Sequence, residues 1–369
     1  MTALAEEHPV KLWANSGDSH FIEPEDLWRS RLPKRLAELV PRSVKDPDGT
    51  WESIHVDGQV FRRRLPSPAQ QEFMHATVAA AGARDVGKRL ADLDAEGIWS
   101  ELVFPSLGMW AGSFRTPELM QATMRASNDW AKETIMDHSP RLIPTAQVST
   151  LDIGDAVDEL KRCGAMGFKA VFLPVEPHPA QRDYNRDEWE PFWATAEDIG
   201  MVIAFHIGSE PIDFAAGNSI GVTHHGPGGA VLNYTETSFG GQRAVVKLVA
   251  SGALDRHPNL RVLVSEGGAT WVPLHRRPDG RGLSPARNGG AAQAETQPTR
   301  DHLLAGVCVV SARLVGRDDG DGDGLHQRAV GQRLPAHGGH LRPHPGHAAS
   351  VVRRRRSSDQ GPHPVRKLR

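Results

Sequence analysis

The chain has 369 residues, enough for one large domain or two ordinary ones with a sizeable core. Its 43 Lys+Arg against 45 Asp+Glu give a net charge of -2, so no global field draws it to nucleic acid or a membrane surface. The two cysteines, Cys163 and Cys308, lack metal-type spacing. No apolar run is long enough to span a bilayer, and the chain opens on the acidic MTALAEEHPV, so a reduced, cytoplasmic setting is expected.

Short apolar runs bounded by Gly, Pro or polar residues alternate with helix-like stretches, which predicts an α/β fold with a parallel sheet. The first strand is predicted over 11–16. The polar, Pro-rich stretch 32–82 is either a cap over a barrel mouth or a tolerated loop insertion. Strands follow at 101–105, 142–148, 168–174, 201–207 and 261–265. Helices are predicted over 117–137, 153–162, 185–199 and 242–250; in the first, Met120, Met124, Ser127, Ala131 and Ile135 share a stripe flanked by Trp130. Six such units make most of a TIM-type (β/α)8 barrel. A doubly wound fold is the alternative, but no Gly-rich dinucleotide turn follows the first strand.

Three pieces carry candidate chemistry. In "GDSHFIEP", Asp18 and His20 stand two apart, so in a strand both side chains point to one face. A carboxylate and an imidazole there make half a site for Zn²⁺ or a similar divalent ion; the other reading is an Asx-type turn with a hydrogen-bonded His. In "MVIAFHIGSE", His206 closes an apolar strand just before Gly208, as a third ligand or a satisfied core histidine. In "LRVLVSEGGATWVP", Glu266 ends the last strand. It can serve as general base, as a carboxylate orienting a ligand His, as a ligand itself, or as a strand-end salt bridge. His224 and His225 in "GVTHHGPGG" either touch substrate or face solvent, and Trp110 in "GMWAG" either walls the pocket or simply packs. Lys169, near the start of its strand, is expected to face the helix layer.

The segments "GDSHFIEPEDLW", "RLADLDAEGIWSELVFPSLG", "SNDWAKE", "GFKAVFLP", "AFHIG" and "SEGGATWVP", in this order, resemble the amidohydrolase-related family, in the branch around aminocarboxymuconate-semialdehyde decarboxylase. The resemblance covers roughly the first three-quarters of the chain. It implies a (β/α)8 barrel with one divalent metal, usually zinc, held by Asp18, His20, His206 and an Asp after the eighth strand. It implies non-oxidative decarboxylation of a small unsaturated or aromatic carboxylate, no nucleic-acid or membrane partner, and a possible homodimer. Many members carry a catalytic His where this chain has Glu266, which keeps metal-dependent hydrolysis of a C–N or C–O bond as the alternative.

The family's last landmark, a "GSDYPH"-like segment carrying that Asp, is missing from the written sequence. All nine Trp, eleven Phe, two Tyr and eight Met lie at or before Trp271, and the rest cannot bury enough large apolar surface to offset its chain entropy. With suitable codons, 331–347 read one base on allows GSDYPHMEGTFGHTQ, and the same offset allows family-like segments from two further stretches. The sequence therefore predicts a frame displacement near Leu274, with 1–273 the barrel domain and 274–369 an irregular tail. The polypeptide as written is expected to be unstable or weakly metallated, and an inactive truncated barrel is the remaining reading.

Overall fold

The computed structural model describes residues 13–65, 72, 79–107, 112–211, 224, 226–268 and 271, and the backbone of 307–315 and 326–333. Strands β1 (Ala14–Ser16) and β2 (His20–Phe21) form one interrupted strand. Short helices α1 (Leu27–Arg31) and α2 (Lys34–Ala37) lead to an antiparallel sheet of β3 (Arg42–Lys45), β4 (Trp51–Val56) and β5 (Gln59–Arg64). The repeating units then run α3 (Val86–Glu96), β6 (Ile98–Pro105), α4 (Pro117–Ala131), β7 (Leu142–Gln147) and α5 (Ile153–Met166). They continue through β8 (Ala170–Pro174), α6 (Glu190–Asp198), β9 (Val202–His206), α7 (Gly229–Ala250), α8 (Ala253–Arg256) and β10 (Val262–Ser265).

Strands β1, β6, β7, β8, β9 and β10 lie side by side in that order, each neighbouring pair parallel. Curvature brings non-adjacent strands together inside the sheet. Phe104 of β6 meets Phe172 of β8 edge-on at 6.1 Å, and both pack with Ala204 of β9 over Leu102 and Leu263. This is the partial TIM-type barrel expected from the sequence, and the six strands are those expected.

Two further strands lie beyond β10. Within the region expected to be irregular, β11 (Val307–Val315) pairs parallel with β10, and β12 (His326–Arg333) pairs antiparallel with β11. The three valines of VCVV give β11 its strand propensity. Strand β12 reaches the neighbourhood of β1 without pairing with it, and its direction breaks the all-parallel rule of a regular barrel.

Helix starts and stops follow local chemistry. Asp85 and Asp152 cap α3 and α5 by accepting the N–H of Lys88 and Asp155, and left-handed Gly97 and Gly167 end them. In α4, fully buried Asn128 ties the helix to β7: it donates to the Gln147 carbonyl at 2.8 Å and accepts the Gln147 N–H at 2.8 Å. The same amide donates to Glu159 of α5 at 2.7 Å. The "SNDWAKE" motif thus joins two helices and a strand. Helix α7 starts thirteen residues before the predicted 242 and passes close over β10, where a Cβ on Gly241 would sit 2.4 Å from Val264 Cγ1.

The stretch expected as cap or loop holds the β3–β5 sheet. Its β4–β5 turn places Asp57 in the left-handed region, φ 47°, followed by Gly58. The Asp57 carboxylate accepts the N–H of Arg115 and of Thr116, each at 2.6 Å, and the Thr116 hydroxyl at 2.7 Å. The insertion is thereby fastened to the N-terminus of α4. Lys169, just before β8, is exposed.

Candidate metal centre

Asp18, His20 and His206 come together at the C-terminal ends of β1/β2 and β9, with one ligand atom from each lying within 4.8 Å of the others. His20 Nε2 is 3.1 Å from His206 Nε2, and Asp18 Oδ1 is 3.5 Å from His206 Nε2. Below them the Phe104 ring stands edge-on to His206 at 4.9 Å, making an apolar floor.

Each imidazole is held by backbone. His206 Nδ1 lies 2.7 Å from the Ile207 carbonyl, so it carries the ring hydrogen of the neutral form. The Ser209 hydroxyl donates to the His206 carbonyl and accepts the Val175 N–H at 3.1 Å, locking the ends of β8 and β9 together. Ser209 was not singled out from the sequence; its signal was a small hydroxyl just past Gly208, whose φ of 69° turns the chain out of the strand. His20 hydrogen-bonds the backbone of Pro105, which has only a carbonyl to accept with.

The electrostatics are those of a cluster built to share a cation. Burial, reinforced by His206, pushes the His20 pKa down to about 4, so the ring is neutral near pH 7. Burial opposes charge on His206 as well, but the Asp18 carboxylate 3.5 Å away outweighs it and raises its pKa. Asp18 stays below its ordinary value: burial works against ionisation, and His206 overcomes it. Asp18 Oδ1 is buried without a hydrogen-bond partner, facing a His206 Nε2 that in the neutral ring is a bare lone pair. Acceptors crowded in this way require a proton or a metal ion between them, and two imidazoles with a carboxylate suit a zinc-like divalent ion.

Glu266 stands beside this group, with Oε2 3.7 Å from His206 Nε2. It is outside the set of three whose donor atoms mutually converge. Its φ is 57°, an uncommon conformation for a residue with a side chain, and it follows directly on β10. Burial, with Asp18 nearby, raises its carboxyl pKa.

His224 turns to the following helix. Its N–H donates to Asn233 Oδ1 at 2.7 Å, and its Nε2 lies 2.9 Å from Glu236 Oε2. His225 and Trp110 lie outside the described residues. No helix among the described residues is long and apolar enough to cross a membrane.

A curled parallel sheet with a mixed His/carboxylate cluster at the strand C-termini defines a metal-dependent barrel enzyme. The amidohydrolase family model matches residues 72–300, more than half of the chain, and the chain belongs to that family. Its fold is similar to that of an amidohydrolase from Mycobacterium avium subsp. paratuberculosis K-10, with a TM-score of 0.61, 20% identity, and coverage of 82% of this chain and 84% of that one. Likeness extends to 2,6-dihydroxybenzoate decarboxylase from Rhizobium, at TM-score 0.47 and 16% identity over 81% of this chain and 79% of that one. It also extends to 5-carboxyvanillate decarboxylase from Sphingomonas paucimobilis, at 0.48 and 19% over 63% and 66%.

Proposed function

We propose that the chain is a metal-dependent carboxy-lyase that removes CO2, without oxidation, from a small unsaturated or aromatic carboxylate. The observation that carries this reading is the convergence of His20 Nε2, His206 Nε2 and the orphaned Asp18 Oδ1, with Glu266 alongside as a separate carboxyl group. The ordered motifs resembling the decarboxylase branch support the choice of reaction. Asp18, His20 and His206 would hold the ion, taken to be zinc. When bound, the ion supplies a Lewis-acidic centre that polarises a substrate oxygen.

Glu266 is the proton carrier. Burial favours its protonated form, so it can donate a proton to the carbon that bears the carboxylate. The C–C bond to that carboxylate then breaks, its electron pair stays with the ring or alkene, CO2 leaves, and Glu266 remains as a carboxylate. Its side chain reaches from the end of β10 toward His206, with Oε2 3.7 Å from the ring nitrogen. The Phe104, Phe172 and Leu263 floor keeps water from below.

The test is zinc loading of the purified full chain, then parallel measurement of CO2 release and of acid production on a panel of small aromatic and unsaturated carboxylates, esters and amides. The expected result is CO2 release that disappears in His206→Ala together with the bound zinc. In Glu266→Gln, zinc uptake is retained and turnover falls by roughly 10²–10⁴-fold. Acid production from esters or amides, with no CO2, would instead establish hydrolysis. A folded chain that takes up no ion refutes the proposal.

A further inference from the structure

We infer that Arg89 is a positioning residue for the ion: it holds the His20 peptide in place from the side of β2 that has no hydrogen-bonded strand among the described residues. The inference rests on the metal-dependent reading above. In a parallel ladder the N–H and C=O of one residue point to the same side, and successive residues alternate. The Ser19 carbonyl accepts the Phe104 N–H at 2.8 Å, toward β6. The His20 carbonyl therefore points away from β6, where neither β1 nor β2 has a hydrogen-bonded strand among the described residues.

Arg89, on α3, takes that place. Its Nη2 donates to the His20 carbonyl oxygen. Glu101 of β6 stands behind it, 3.5 Å from Arg89 Nε and with its side chain only 4% exposed. Two residues on, the Ile22 N–H donates to the Ala83 carbonyl at 2.8 Å, in the short turn that precedes α3. Arg89 and Ala83 together act as a surrogate edge partner for the segment bearing two of the three ligands. A guanidinium suits the position, because its fork reaches a carbonyl with one arm while facing a carboxylate with another. Lysine offers a charge and a donor but not both directions at once.

Losing a group that orients a ligand typically weakens metal binding by about 10–100-fold. The experiment measures zinc affinity by chelator competition and the visible spectrum of the Co²⁺-loaded full chain for wild type, Arg89→Met and Arg89→Lys. Arg141→Met is the control: Arg141 donates to the Trp99 and Ile98 carbonyls at the opposite end of β6, so its loss disturbs the same sheet far from the ligands.

Expected are weaker zinc binding by about 10–100-fold and an altered Co²⁺ spectrum in Arg89→Met. Partial recovery in Arg89→Lys and wild-type affinity in Arg141→Met should accompany them. Wild-type affinity in Arg89→Met overturns the inference alone, as does equal weakening in Arg141→Met. A wild-type chain that binds no zinc refutes the metal reading and this inference with it. Should Arg89→Met not fold, Arg89→Lys carries the comparison: weaker zinc binding at unchanged thermal stability supports the role, and unchanged affinity removes it.

Discussion

Adding and removing the ion at different pH values should expose competition between a metal and a single proton. In the metal-free chain the raised pKa of His206 means that its protonated form, paired with Asp18, stabilises the fold. That contribution is complete below the unfolded-state pKa and disappears as pH rises through the higher folded-state value. Ion binding runs the other way, because the metal needs the His206 lone pair and must displace the proton. His20, pushed down to about 4, is already neutral, and Asp18 is already ionised, so one proton leaves rather than two.

Zinc at a hundred times its dissociation constant stabilises by about 2.7 kcal/mol. For a domain of this size that is a rise in Tm of roughly 3–5 °C. Each pH unit below the His206 titration lowers the apparent affinity tenfold, which takes about 1.4 kcal/mol from that gain. Differential scanning calorimetry with zinc and with EDTA, from pH 5 to about 8 as the span where histidine titrates, reads the difference directly. The zinc-minus-EDTA shift should grow with pH and then level off, with a slope in log affinity approaching one on the acid side. A shift that is flat, that falls as pH rises, that has a slope of two, or that persists in His206→Ala refutes the reasoning.

Three stability predictions follow from contacts away from the ion. Asn128→Ala strands the Gln147 N–H and C=O and removes a donor from buried Glu159; urea unfolding should show a loss of about 3–5 kcal/mol. Asp57→Ala removes the acceptor of two backbone N–H groups at the start of α4 and should cost about 1–2 kcal/mol by the same assay, with zinc stoichiometry unchanged. The Arg256 hydrogen bond holds Glu190 below the usual carboxylate range, opposed by partial burial and aided by His257. Its contribution is present above the unfolded-state pKa and lost as pH falls through the depressed one. Glu190→Gln should therefore make the acid limb of a stability–pH profile shallower, by less than about 1 kcal/mol because the pair is solvent-screened.

The barrel strands were legible because strands buried on both faces must be continuous apolar runs, and Gly, Pro or polar residues mark their ends. Asp18 and His20 could be read as a pair from two-residue alternation alone. Their meeting with His206 could not, since it depends on how far the sheet rolls. The β3–β5 sheet was hidden by its polar, half-exposed strands, although Asp57-Gly58 is the turn pair that a tight hairpin favours. Helix α7 was cut short because Val231, Leu232 and Tyr234, all exposed, give its first half no buried stripe to read. Arg89 and Glu101 stood in a recognised motif, yet a side chain that serves another residue's backbone leaves no periodic signature.

His20 and His206 belong to strands separated in the sheet by β6, β7 and β8. Laid flat, four spacings of about 4.8 Å would hold such strands about 19 Å apart, whereas their Nε2 atoms stand 3.1 Å apart. An ion gripping both would act as a rivet across the chord of the arc, resisting any uncoiling of the sheet. Heating should then release the ion together with the opening of the arc, so metal loss would serve as a gauge of sheet curvature.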